Sequence, residues 1–283
     1  MKKTIALFVL TLLMPLAAVA DGYTALWKQY DEARKKDLPK SQIELLGRIA
    51  ARAAAEKSYG NLLKAEVNRM VTVATVSPDS LSGAIGRLEQ AADGAAETDR
   101  ALAAVYSCVL SDVYANLSSM QFPDAPRLRK EYSRKALADP ALLASVRTTG
   151  YEPFVRIGVD SGIFNNDLLS VIGYRLKDYA LLNAWYDKAG NRRAALLTAL
   201  EKVINCYREN PVKKRARGNR YLASLDSLIA VYGDLPECGE VALEKYAYMC
   251  GCSDVTAGEK AEYISSASAR WAAWRNIGKL KEE

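Results

Sequence analysis

Apolar residues return at every third or fourth position through most of the chain, and short polar, Gly or Pro breaks separate the runs. That spacing gathers them on one side of an α-helix. The first such segment, Tyr23 to Lys36, aligns Tyr23, Leu26, Trp27, Tyr30 and Ala33 on one stripe. Leu38-Pro39 breaks it and opens a second helix, because proline is accommodated in a first helical turn. Ile43, Leu46, Ile49, Ala50 and Ala53 form the inward face of that helix, and Tyr59-Gly60 reads as its end. A third helix runs from Leu62 to about Thr75, although the β-branched stretch Val71-Thr72-Val73 would also suit a short strand. Ser77-Pro78-Asp79 starts a fourth around Leu81, Ile85 and Leu88, weakened by Gly83, Gly86 and Gly94. Thr98 or Asp99 then caps a long helix to about Ser119, with Leu102, Val105, Tyr106, Val109, Val113 and Leu117 on its face.

Phe122-Pro123-Asp124-Ala125-Pro126 is a linker and offers a point of subdivision near 121–127. A charged helix follows from Leu128 to Leu137, and Asp139-Pro140 supplies cap and first turn for another. Thr149 to Phe164, with Gly150, Pro153, Gly158 and Gly162, is the one substantial irregular segment. Helical spacing resumes at Asn166 or Asp167, then at Tyr179–Lys188, Arg192–Arg208 and Arg220–Tyr232. Two more helices fit Glu240–Met249 and the stretch after Thr256 through Tyr263, Ile264, Ala267, Trp271 and Trp274. No alternating run of strand length repeats, so the expected fold class is all-α, built of stacked antiparallel helical hairpins. Ala184-Trp185-Tyr186-Asp187-Lys188-Ala189-Gly190, with Ala194, Ala195 and Leu197, locally resembles a tetratricopeptide unit, and Leu26-Trp27 to Tyr30 and Ala33 a degenerate one. The spacing keeps no strict repeat period, so the hairpin array is irregular.

The N-terminus predicts export. Lys2 and Lys3 form a positive start, Thr4 to Leu16 an apolar core, and Ala18-Val19-Ala20 a small-residue cleavage site. Residues 1–20 are therefore expected to be a signal peptide and 21–283 the helical-hairpin domain. No later segment approaches a membrane span, so the mature chain is expected in the periplasm or at the cell envelope with no integral membrane segment. At the other end, Arg270-Trp271 to Glu283 stays helical in pattern without a Gly or Pro stop. That suits either a frayed terminal helix or a protein that continues into further domains.

Charge and chemistry narrow the function. Lys+Arg number 39 against Asp+Glu 33, a net of +6 that drops by two without Lys2 and Lys3. This mild excess calls for no nucleic-acid partner. Lys213, Lys214, Arg215, Arg217 and Arg220 form the one dense basic cluster, which reads as a solvated loop entering a helix. The chain has no histidine, which removes the usual general base and the commonest metal ligand. No cofactor and no metal site are expected. Of five cysteines, Cys108 and Cys206 sit at apolar helical positions and read as buried thiols, while Cys238 is placed to close a short loop with Cys250 or Cys252.

Several motifs, taken in order, resemble a known family. They are the run from Trp27 to Leu46, Tyr59-Gly60-Asn61-Leu62-Leu63-Lys64-Ala65, and Ser77-Pro78-Asp79-Ser80. Tyr151-Glu152-Pro153-Phe154, Phe164-Asn165-Asn166-Asp167-Leu168-Leu169-Ser170, Gly190-Asn191-Arg192 and Arg270-Trp271 with Trp274 continue the series. Together they resemble the N-terminal helical region of the large alpha-2-macroglobulin-like proteins of Bacteroidetes. The resemblance implies a periplasmic protein that entraps or inhibits endopeptidases, with this region preceding β-sandwich domains, a bait region and, in many members, a thioester. None of those features is in this chain, and no cysteine is followed by Glu-Gln at thioester spacing. What the resemblance implies here is architecture, location and a scaffold role, with partners being a protease or envelope protein and the downstream domains of a longer protein.

Three functions compete on these grounds. The first is the docking scaffold of such an inhibitor. The second is a free-standing periplasmic helical-repeat adaptor, with Tyr179, Trp185, Tyr186 and Tyr221 as candidate contacts for a protein or peptide. The third is a carboxylate-only glycosidase, which needs two carboxylates roughly 5 to 9.5 Å apart across a cleft. Asp160, Asp167 and Glu152 are its best candidates, although Asp167 reads first as a helix cap. A non-enzymatic protein is expected.

Overall fold

The computed structural model describes residues 16–211, 215–275 and 277. Residues 1–15 of the expected signal peptide, Lys213 and Lys214 of the basic cluster, and the tail from Gly278 lie outside the described residues. Within them the chain is all-α, with 13 helices and no strand. It divides into two compact units. One runs to Tyr106 and also takes Thr149–Arg156; the other holds Ser107–Thr148 and the chain from Ile157. The division falls inside a helix and not at the 121–127 linker, which lies within the second unit.

The first unit contains α1 (Leu16–Lys35), α2 (Pro39–Ala55), α3 (Tyr59–Val76), α4 (Leu81–Thr98) and the start of α5 (Arg100–Ala115). Each of α1 to α4 packs on its neighbour in the chain. The expected stripes meet: Tyr23, Tyr30, Leu46, Ile49, Ala53, Leu62 and Ala65 form one buried cluster, with Leu26, Trp27, Leu45 and Ala50 against it. Polar tips of the aromatic residues stay bonded. Trp27 Nε1 donates to Asn61 Oδ1 at 2.7 Å and the Tyr23 hydroxyl to Glu56 at 2.7 Å. Gly60 lets the 149–156 segment close onto α3, since a Cβ there would stand 2.0 Å from the Glu152 carbonyl oxygen. Helix α5 stops at Ala115, short of the expected Ser119.

Two further stretches differ from the sequence expectation. Tyr59-Gly60 begins α3 rather than ending α2. The stop lies at Lys57, whose φ is 54°, and Ser58 N–H reaches back to the Ala53 carbonyl at 2.9 Å. This is the six-residue closing bond of a left-handed helix end, a position glycine usually fills. Asp37 (φ 50°) and Lys177 (φ 59°) end α1 and a later helix the same way, with Leu38 N–H on Ala33 and Asp178 N–H on Gly173. Val71-Thr72-Val73 is helical although Val71 is exposed: Met70 and Thr72 are buried, and this packing of α3 overrides a weak β preference.

The second unit holds α6 (Ala125–Ala136), α7 (Pro140–Ser145), α8 (Leu168–Leu176), α9 (Tyr179–Lys188), α10 (Arg192–Glu209), α11 (Arg220–Tyr232), α12 (Cys238–Cys250) and α13 (Ala257–Arg270). Side-chain caps start most of them. Asp139, Asp167, Asp178, Asn191 and Asn219 accept backbone N–H groups of the first turn, and Thr256 forms a reciprocal capping box with Glu259. From α7 to α13 each helix packs on the next, and α10 also touches α12.

All five cysteines are free. Cys238 and Cys250 are the two ends of α12, and a 13-residue helix separates its ends by roughly 18 Å, far beyond disulfide reach. Cys252 lies two residues past that end, its thiol directed at the Tyr248 carbonyl, so the short loop from Cys238 is not formed. Cys108 is buried as expected, and burial pushes its thiol up to about 12. Cys206 is exposed instead of buried, because α10 turns Ile204 inward and carries Cys206 to the opposite side.

Candidate docking cleft

Helices α8, α10 and α12 of the second unit line a common cleft of about 350 Å³. Its side chains come at helical spacing: Ser170, Val171 and Tyr174 from α8, and Leu197, Leu200 and Glu201 from α10. Glu240 of α12, the turn at Gly158–Ser161, Trp274 and Arg275 complete it. The α8 face is set by Asp167, which caps the helix through Ser170 N–H at 2.8 Å. Phe164, from the turn just before, meets Tyr174 edge-on with centroids 5.4 Å apart. Trp274 lies against the start of α12 because Gly239 has no side chain; a Cβ there would be 2.8 Å from the indole. The indole N–H donates to Glu240 Oε2 at 2.8 Å.

Electrostatics distinguish the carboxylates. Asp160 is held by both terminal nitrogens of Arg275, whose guanidinium also lies 4.7 Å from the Trp274 ring centroid. Glu201 has no ion pair or hydrogen bond among the described residues. Burial pushes its pKa above the ordinary carboxylate range, Glu244 and Glu240 add to that, and Arg208 opposes it. Burial raises the Tyr174 phenol too, so it stays neutral. The cleft thus offers aromatic walls and a carboxylate with no hydrogen-bond or ion-pair partner, a setting suited to a cation or a hydrogen-bond donor.

The expected aromatic contacts divide. Tyr186 is 1% exposed, and its hydroxyl donates to the Asp167 carboxylate at 2.9 and 3.0 Å, so it is an internal brace and not a contact. Tyr221 is 4% exposed, stacks on Tyr207 at 4.3 Å and donates to Glu244 at 2.5 Å. It forms part of the wall of a second groove, of about 670 Å³, without presenting its polar end there. The ring size that suggests a contact also drives burial. Tyr179 and Trp185 are half-buried, and Tyr179 packs on the cleft residue Tyr174 at 5.5 Å.

The carboxylates weighed for glycoside hydrolysis are otherwise engaged. Asp160 is tied to Arg275, and Asp167 is 1% exposed between its cap and Tyr186. Glu152 is exposed in the first unit. Among the described residues no group of three or more His, Cys, Asp or Glu side chains is placed to hold a metal ion. None of their helices is long and apolar enough to cross a membrane. Compared with protein-family models, with curated proteins and with solved structures, the chain matches none.

Sequence reasoning missed Glu201 and the Asp160–Arg275 pair. A signal for the first was present: Leu197, Leu200, Glu201 and Ile204 share one stripe of α10, and a carboxylate on an apolar stripe is unusual. The second joins residues 115 apart in the chain and had no local signal.

Proposed function

We propose that this chain is a non-enzymatic helical docking scaffold, exported to the periplasm or cell envelope, that holds a protein segment in the cleft of its second unit. The observation that carries the reading is Glu201, a carboxylate without an ion pair or hydrogen bond that lines the same cleft as Tyr174 and Trp274. Arg275 already lies on Trp274 and Asp160, so these walls suit a guanidinium or ammonium group. Packing of each helix on the next from α7 to α13 supports an irregular array of antiparallel hairpins, whose alternate helices α8, α10 and α12 present one binding face.

The resemblance of the ordered motifs supports placing this scaffold at the front of an alpha-2-macroglobulin-like endopeptidase inhibitor. Entrapment would then belong to bait and β-sandwich domains encoded downstream, and the scaffold would dock a protease or envelope partner for them. Without such domains the same cleft would serve a free-standing periplasmic adaptor. Sequencing past the Glu283 codon separates the two: a frame continuing into β-sandwich domains supports the first, and a stop followed by unrelated sequence ends it. The docking role itself is tested by titrating lysine- or arginine-bearing peptides. Glu201→Gln should weaken their binding and leave a glutamine-bearing control unaffected; equal binding to both proteins would sink the reading.

A further inference from the structure

Helix α6 has two chemically different flanks. Ala125, Tyr132 and Ala136 are its buried side, and Tyr132 stacks on Tyr114 with centroids 5.8 Å apart. On one flank the charges cancel: Glu131 pairs with Arg127 and with Lys135. On the other flank Arg129, Lys130 and Arg134 share a stripe with Ser133 and Leu137. All three cations are exposed and without an ion pair among the described residues, although Arg134 also helps hold the Glu131 carboxyl below its ordinary range. They edge a groove of about 700 Å³ between α6 and the α8–α9 turn. Its floor is apolar, formed by Leu137, Leu176 and Leu181. The one carboxylate in it, Asp178, is committed to capping α9 through Leu181 N–H at 3.1 Å. Lys177 at the same turn adds a further exposed cation beside the groove.

We infer that this groove is a docking site for an acidic peptide segment carrying an apolar residue. The leucines seat the apolar side chain, and the three cations receive the carboxylates. Charge complementarity decides the occupant, since three unpaired cations face one capped carboxylate. The recess argues for a peptide over a membrane: the leucines form the floor between helices, with Leu137 only 9% exposed, whereas a bilayer engages apolar side chains that protrude. This site involves none of the residues of the Glu201 cleft and stands without that reading.

The test is a fluorescence-anisotropy titration of the intact chain with a labelled peptide alternating Leu and Glu, beside the same peptide with Gln or Lys for Glu. The acidic peptide should bind, more weakly as salt rises, and the other two should not. Arg129→Glu with Lys130→Glu and Arg134→Glu should weaken it by about ten-fold or more, the combined effect of three exposed charge pairings. A charge-matched variant, Arg215→Glu with Arg217→Glu and Arg220→Glu, should bind like the parent, with unchanged helical circular dichroism in both variants. Where the α6 variant fails to fold, Leu181→Gln replaces it and should abolish the preference for leucine-bearing peptide. Equal loss in the two charge variants, equal binding of the Gln peptide, or capture by phosphatidylglycerol vesicles in place of the peptide would overturn the inference.

Discussion

Glu66 of the first unit and Glu201 of the second are both half-buried helix carboxylates that burial pushes above the ordinary range. Their surroundings differ. Each has an arginine near it, Arg69 for Glu66 and Arg208 for Glu201. The Tyr106 hydroxyl donates to Glu66, while Glu201 lines an open cleft without a hydrogen bond and with like charges from Glu244 and Glu240. The same contrast runs through the two units. In the first, the polar ends of Tyr23, Trp27 and Tyr106 are all taken up by groups on its own helices. In the second, bracing pairs such as Tyr186–Asp167 accompany one carboxylate, Glu201, and the cations Arg129, Lys130 and Arg134, none of which has an ion pair among the described residues. A buried polar group that is fully partnered serves the fold, and one that is left open to a cleft is a candidate for recognition.

The strongest test of this contrast compares two glycines. Gly60→Ala sets a Cβ against backbone, 2.0 Å from the Glu152 oxygen, and should cost roughly 3 kcal/mol in urea unfolding. Gly173→Ala meets the Leu182 side chain, 2.5 Å from Cδ2, and should cost about 1–2 kcal/mol because a side chain gives way and alanine favours helix. The reverse order would mean that the 149–156 segment is not held on α3.

Tyr106→Phe comes next. It strands Glu66 without its donor and should cost about 1–3 kcal/mol at pH 7. The hydroxyl holds the Glu66 pKa down, so its loss raises that pKa further. The penalty therefore exists only while the carboxylate is charged, and should fade as pH falls through the raised folded-state values toward the ordinary carboxylate range. A cost that is equal at pH 7 and pH 4 would assign the effect to packing alone.

Glu201→Gln sharpens the other side. A raised folded-state pKa means that ionised Glu201 opposes folding: the penalty grows as pH rises through the raised value and is absent below the unfolded one. The variant should equal or exceed the parent at pH 7, by less than about 1 kcal/mol, and match it at acid pH. Marked destabilisation at pH 7 would show a partner for Glu201 and erase the contrast with Glu66. The smallest effect is expected at the left-handed helix ends, tested at one lysine in each unit. Lys57→Gly and Lys177→Gly should each stabilise by about 0.5–1 kcal/mol in thermal melts, since only the side chain is strained there.

Helix class, most boundaries and several caps were legible because they depend on residues within one or two turns. Tyr179–Lys188 and Arg220–Tyr232 match the sequence expectation at both ends. Asp139 and Asp167 cap as their positions suggest. Lys57 was not legible as a helix stop, since a lysine in left-handed backbone has no compositional mark and the packing of α2 on α3 holds it there. Nor was the fate of Tyr186, because whether a ring points inward or outward depends on the next helix.

Local pattern by itself determined that this chain is helical, where most helices start, and that histidine chemistry is closed to it. Tertiary structure alone decided which aromatic rings are braces and where unpaired charge is left beside a cleft. The physical reason is range. Periodicity and capping act over a few residues of one chain segment. Burial, desolvation and ion pairing depend on groups such as Asp160 and Arg275 that only the packed helices bring together.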